Sequence, residues 1–199
     1  MATNATARTR QDRWADWAVI GVLIVALLLG WALMLVVQGQ RATFVDAGTG
    51  LTLRYPKGWM QKSDDRLLFQ AADPSSGEFK TAYQVRVQPI DASGSVTSTL
   101  AAVLNRASLA RAQEGTAYRM LDLKEGKAVN RRPTMEATYV YVVDSVDFFS
   151  QQLPVVVMGL DIAVAEGDQA YLFSLLASKD SFPEAERAFR RFVARAELQ

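Results

Sequence analysis

The sequence predicts an α+β domain behind one N-terminal transmembrane helix. That domain is an antiparallel sheet of about seven strands with helices covering both faces. Three observations predict it. Residues Trp17 to Val37 form 21 consecutive uncharged positions, interrupted in their apolar character only by Gly21 and Gly30. Past them, strand-like alternation of apolar and polar residues recurs between Gly, Pro and Asp turns. Two late strands, Val155-Val156-Val157-Met158 and Tyr171 to Leu176, are apolar on both faces except for Ser174. A half-solvated sheet would alternate, so its centre needs cover on each side.

Composition narrows the chemistry. The chain has 199 residues, with 22 Lys and Arg against 21 Asp and Glu, and neither cysteine nor histidine. One domain plus an appendage suits that length. Without cysteine there is no disulfide, thiolate metal site, cysteine nucleophile or lipidated-cysteine anchor. Without histidine the commonest general base and metal ligand is missing, which removes Ser-His-Asp, Cys-His and zinc-dependent hydrolysis. Near-zero net charge speaks against a nucleic-acid partner.

At about 1.5 Å per residue, Trp17–Val37 spans roughly the 30 Å of a bilayer core. Signal peptides have apolar regions of only about 7–15 residues. The exit Val36-Val37-Gln38-Gly39-Gln40 also lacks a small-x-small cleavage site. Arg8, Arg10 and Arg13 precede the span, whereas Arg41 alone follows closely. By the positive-inside rule residues 1–16 are a cytoplasmic tail, with Trp14 and Trp17 at the inner interface. Asn4-Ala5-Thr6 then lies on the wrong side for glycosylation. Residues 38–43 read as a short linker and 44–199 as the exported domain, at the cell membrane and formally neutral.

Phe44–Asp46 and Leu51–Tyr55 read as a hairpin, ended by Pro56. Leu67–Gln70 is a strand closed by Asp73-Pro74-Ser75-Ser76-Gly77, and Tyr83–Val87 alternates cleanly. Ser95–Gln113 changes period: Leu100, Val103, Leu104 and Ala107 recur at helical spacing, with Thr97, Ser98 or Thr99 as N-cap and Gly115 as stop. Strands follow at Tyr118–Leu123, Met135–Val143 and Val155–Ala165, and Glu166-Gly167-Asp168 turns the chain into Gln169–Ala177. The last helix opens at Ser181 or Phe182 with Pro183 in its first turn. Glu184 and Glu186 stand near its start and Arg187 to Arg195 toward its end, which suits the helix dipole.

Several phrases carry a resemblance. Tyr55-Pro56-Lys57-Gly58-Trp59 is similar to the "YP-x-GW" phrase that opens PsbP-like and Mog1-like domains. Gly126 to Pro133, followed by the strand ending Tyr139-Val140-Tyr141, resembles that family's central hairpin. Gln169-Ala170-Tyr171-Leu172-Phe173 and Phe182-Pro183 resemble its terminal pattern. The resemblance implies the same sandwich, and docking on a larger complex, as the family's photosystem subunits, assembly factors and nuclear transport factor do. It transfers no partner and no catalytic residue. Tyr55 would end a strand, Pro56 fix the turn, Gly58 permit it and Trp59 cover the sheet edge.

Candidate sites are few. Asp144, Asp147, Asp161, Glu166 and Asp168 form the one acidic grouping, without an Asp-x-Asp-x-Asp-Gly loop, and read as turn residues rather than metal ligands. Gly48-x-Gly50 precedes a strand, so it is no phosphate loop, and Ser-x-x-Lys is absent. Phe148 and Phe149 lie on a long connection, either presented to a partner or folded back on the core. Lys124, Lys127, Arg131 and Arg132 surround a hairpin turn and suit phospholipid headgroups or an acidic subunit, or are simply solvated. Ala26, Gly30 and Trp31 suit helix packing within the membrane, lipid exposure being the rival. The expectation is a non-catalytic, single-pass protein without metal or cofactor. Residues 17–37 hold it in the bilayer, and its extracytoplasmic domain docks on a membrane protein complex as an accessory or assembly subunit. A ligand-binding or sensory ectodomain is the alternative, and an enzyme a further one.

Overall fold

Alternation and helical periodicity resolve into three helices and nine strands among the residues described by the computed structural model. It describes residues 10–77, 79–90, 94–114, 116–143 and 154–198. Two units emerge, residues 1–40 and 41–199. The first is helix α1 (Arg10–Gly39). Within it Trp17–Met34 has a mean hydropathy of 2.5 and no buried residue, and is long and apolar enough to cross a membrane. Strand β1 (Arg41–Asp46) begins two residues after α1, so Arg41 to Thr43, expected in a linker, are already strand.

The second unit continues with β2 (Leu51–Pro56), β3 (Met60–Gln61), β4 (Phe69–Ala72), β5 (Ala82–Pro89), α2 (Val96–Glu114), β6 (Thr116–Glu125), β7 (Thr134–Val143), β8 (Val155–Glu166), β9 (Gln169–Ser178) and α3 (Phe182–Ala194). Seven strands form one antiparallel sheet in the order β3-β4-β5-β9-β8-β7-β6, and β1 pairs with β2 apart from it. The hairpin stays separate because β2 offers its free edge to the C-terminal tail: Thr52 and Glu197 exchange both backbone hydrogen bonds at 3.0 Å. Its inward residues Leu51, Leu53 and Tyr55 join the core over one sheet face.

On that face α3 lays Phe182, Phe189, Phe192 and Val193 over Val85, Ile162, Val164, Tyr171, Phe173 and Leu175. On the other, α2 lays Leu100, Val103, Leu104 and Ala107 over Met135, Ala137, Ala163 and Leu172. The expected two-sided cover is therefore present, and both clusters consist only of residues beyond position 41. The central strands β8 and β9 supply both, since alternate residues of a strand face opposite sides. Gly159 on β8 makes room for the fully buried Tyr139 of β7: a Cβ there would fall inside the Tyr139 ring.

Local details depart from the expectations. The strand read at Leu67–Gln70 begins at Phe69, because Leu67 is held in a turn by Asp64. Ser98 and Thr99 do not cap α2 with their hydroxyls, which donate back to the Ser95 carbonyl at 2.7 and 3.1 Å. Gly58 has no positive φ and no close neighbour, so nothing in the turn demands glycine. Trp59 does pack on the sheet, its ring 4.5 Å from that of Tyr83 on β5.

Candidate functional site

The connection between β6 and β7, where three of the four candidate cations stand and Lys124 lies near the end of the strand before it, is held in place by its own turn and by the C-terminal tail. Asn130 and Arg131 take φ of 50° and 67°, and Val129 and Arg132 exchange backbone hydrogen bonds at 3.1 and 2.9 Å. Positive φ at both central residues is the type I′ turn that matches strand twist. Gly126 closes the loop's base: its N–H donates to the Thr134 carbonyl at 2.9 Å, and a Cβ would strike the side chains of Thr134 and Glu136. Asn130 Nδ2 donates to the Ala196 carbonyl at 2.7 Å, and Arg132 Nη2 to the Leu198 carbonyl at 3.4 Å.

The four cations divide. Arg132 Nε donates to Glu166, and Lys124 pairs with Asp122 at 2.7 Å. Each of those hydrogen bonds holds its cation's pKa above the ordinary value. Lys127 and Arg131 are exposed, and no described acid lies within ion-pair distance of either.

Beside the loop, α3 and β7 enclose a cleft of about 220 Å³ lined by Lys127, Val129, Glu136, Ile162, Arg190 and Val193. Glu136 is buried and takes both Arg190 terminal nitrogens at 2.7 and 2.9 Å. Arg190 Nε also donates to Glu186 at 2.9 Å. Hydrogen bonding to Glu136 raises the Arg190 pKa despite partial burial. Small-molecule sites usually occupy about 300–1,000 Å³, so this cleft is undersized and its charges satisfy one another. A larger groove, about 360 Å³, lies between Pro89, Ile90 and the first turns of α2, where the Ser98 and Thr99 hydroxyls are already spent on Ser95.

A second buried network lies under α2. Arg111 reaches Asp161 with both terminal nitrogens and Ser174 Oγ at 3.0 Å. Tyr139 donates its hydroxyl to Asp161 Oδ1 at 3.2 Å, and the Arg111 guanidinium lies 4.6 Å over the Tyr139 ring. Burial works to lower the Arg111 pKa, but Asp161 outweighs it and the net shift is upward.

Of the acidic grouping, Asp161 and Glu166 each face an arginine, and Asp168 is exposed. No three metal-ligating side chains converge among the described residues. Asp144, Asp147, Phe148 and Phe149 lie outside the described residues. A side chain at Gly30 would meet no neighbouring atom, and Trp31 and Ala26 are exposed along α1. Sequence reasoning missed Glu136 and Arg190, although a carboxylate inside the apolar run of β7 already demands a buried partner.

No family model matches the chain, and no curated protein matches it in sequence. Solved structures do. The cyanobacterial PsbP (CyanoP) of Synechocystis sp. PCC 6803 superposes with a TM-score of 0.61 at 12% identity, covering 80% of this chain and 92% of its own. The domain has the PsbP/Mog1-like fold. The Ran-binding protein Mog1p of Saccharomyces cerevisiae matches this PsbP/Mog1-like domain at TM-score 0.53 and 9% identity, over 80% and 95% of the two chains. LpqN of Mycobacterium tuberculosis, involved in cell envelope biogenesis, gives 0.51 at 8% identity over 80% and 91%. At these identities the likeness is one of fold.

Proposed function

We propose that the chain is a single-pass membrane protein, N-terminus in the cytoplasm, whose extracytoplasmic PsbP/Mog1-like domain docks without catalysis on a membrane protein complex. Residues 17–37 are its anchor, and the docking domain, expected from 44, takes in β1 from Arg41 onward. The observation that carries this reading is the β6–β7 loop. The fold ties it to the C-terminal tail through Asn130 and Arg132, yet leaves Lys127 and Arg131 exposed without an acid partner among the described residues. A preorganised loop with unspent charge binds without an ordering cost. The structural neighbour Mog1p is a Ran-binding protein, which supports a protein-binding use of the fold.

The test is purification of the full chain from detergent-solubilised native membranes, followed by identification of the complex that accompanies it. The double reversal Lys127→Glu/Arg131→Glu should release that complex. So should Phe148→Ser/Phe149→Ser if the aromatic pair belongs to the same surface, since one buried Phe is worth roughly 1.5–3 kcal/mol. Gly30→Leu should release it while leaving the chain inserted if Ala26, Gly30 and Trp31 pack on a partner helix. Protease added to right-side-out spheroplasts should digest the domain and spare residues 1–16. Full protection there would refute the orientation, and a complex indifferent to the loop reversal would refute the docking surface.

A further inference from the structure

Three arginines far apart in sequence meet at one end of α3. Arg41 stands opposite Pro56 in the β1–β2 register, and Thr43 opposite Arg54, so the two arginines are diagonal neighbours on the hairpin. Arg191 lies one helical turn from Ala188 on α3. Together with Pro56, Tyr83 and Phe192 these residues line a cleft of about 150 Å³. Tyr83 forms its floor, 3% exposed, with its ring against Trp59, Phe189 and Phe192.

The Tyr83 hydroxyl has no hydrogen-bond partner among the described residues. Among those residues the sealed, unpartnered side-chain polar atom is Arg86 Nε, so the Tyr83 hydroxyl retains access to the cleft. Burial raises its pKa, while Arg191 and Arg41 pull the other way and Asp73 reinforces the rise. The group therefore stays a neutral donor at physiological pH. Among the described residues Arg54 is held only by Glu197, at 3.2 Å and with both side chains more than half exposed, a pairing a stronger anion displaces readily. Neither Arg41 nor Arg191 has an acid within ion-pair distance among the described residues. Guanidinium forks beside a neutral hydroxyl donor match the oxygens of a phosphate.

Covalent connectivity limits where that phosphate comes from. Arg41 lies four residues past Val37, at most about 14 Å even in extended chain. With α1 spanning the bilayer, that reach keeps Arg41 at or near the headgroup layer. We propose that the Arg41, Arg54, Tyr83 and Arg191 cleft holds the phosphate of an anionic membrane phospholipid, fixing one face of the domain on the bilayer. The proposal rests on the membrane-anchor reading of α1, and its test omits α1 so that the two fail separately.

Residues 41–199 contain both apolar clusters and the whole sheet, and so serve as a self-contained domain for co-sedimentation. The domain should bind vesicles of phosphatidylcholine with phosphatidylglycerol and pass over phosphatidylcholine alone. Arg41→Gln/Arg191→Gln should weaken binding roughly thirtyfold, each arginine near an anionic surface being worth about fivefold. Arg106→Gln/Lys179→Gln, which removes equal charge elsewhere, should weaken it far less. Tyr83→Phe, keeping the ring, should weaken it severalfold without lowering the thermal midpoint at neutral pH. Equal losses from the two arginine-bearing pairs would overturn the cleft in favour of diffuse charge. Equal binding to both vesicles would overturn the anionic lipid. Capture of free glycerol phosphate as tightly as of vesicles would replace the lipid by a soluble phosphate. Vesicle binding that behaves as expected, in a full chain that is not membrane-inserted, would refute the anchor alone.

Discussion

Arg111 on α2 and Asp161 on β8, fifty positions apart, meet beneath the helix in a two-nitrogen ion pair that also draws in Ser174 and the Tyr139 hydroxyl. The Asp161 side chain is 1% exposed and that of Arg111 14%. The pair ties α2 to the sheet at this point, because among the described residues neither charge has another ion-pair partner in the apolar layer around it.

Breaking the pair on one side should be far worse than removing it. Asp161→Ala leaves a buried guanidinium unpaired and should cost about 3–5 kcal/mol. Arg111→Met/Asp161→Ala should recover much of that loss. Equilibrium urea unfolding of the wild type, each single variant and the double variant measures it, and strictly additive losses would show that the two residues are not coupled.

Gly159→Ala should destabilise the domain by about 1–3 kcal/mol or more, since the added methyl enters a Tyr139 ring that Asp161 and Arg111 hold in place. Gly159→Ala/Tyr139→Leu should be less harmful than the first change predicts, because the smaller side chain yields the space. Thermal unfolding distinguishes them.

Arg131→Gly separates docking from stability. Arg131 sits at φ 67°, a left-handed conformation that costs a non-glycine residue about 1 kcal/mol. Glycine there should leave the thermal midpoint unchanged or raise it while weakening co-purification of the partner complex. Asn130→Ala should instead cost about 1–3 kcal/mol, because it also strips the bond to the Ala196 carbonyl. A fall in both stability and binding on Arg131→Gly would count against the docking role.

Alkali should unfold the domain early. Burial raises the pKa of Tyr83 and of Tyr139 above the ordinary phenol value of 10.0. The folded chain therefore keeps protons that the unfolded chain releases above about pH 10. Stability from these groups is intact below that pH and falls as pH rises beyond it, by up to about 1.4 kcal/mol per unit for each tyrosine. Urea midpoints measured from about pH 8 upward, read beside tyrosinate absorbance, test this. Tyr83→Phe should flatten the slope; an unchanged slope would mean that its hydroxyl ionises in the folded domain.

The uncharged run 17–37, the two-faced strands and both covering helices were legible in the sequence, because each is written in neighbouring residues: length and apolarity for α1, alternation for β5 and β7, helical spacing for α2 and α3. The β6–β7 loop was legible as a hairpin rich in cations. Which of those cations were free was only half legible: Lys124 finds Asp122 two residues away on its own strand, but Arg132 finds Glu166 only once strand order and register are set. The same holds for Arg190 on Glu136, and for a cleft assembled from positions 41, 54, 83 and 191. Nor does local pattern say that β1 and β2 leave the main sheet, since that depends on the tail at Glu197 taking the free edge of Thr52. Periodicity is a property of adjacent residues and survives in the sequence; a charge's partner and an edge's neighbour depend on which distant strands the folded core has already placed side by side.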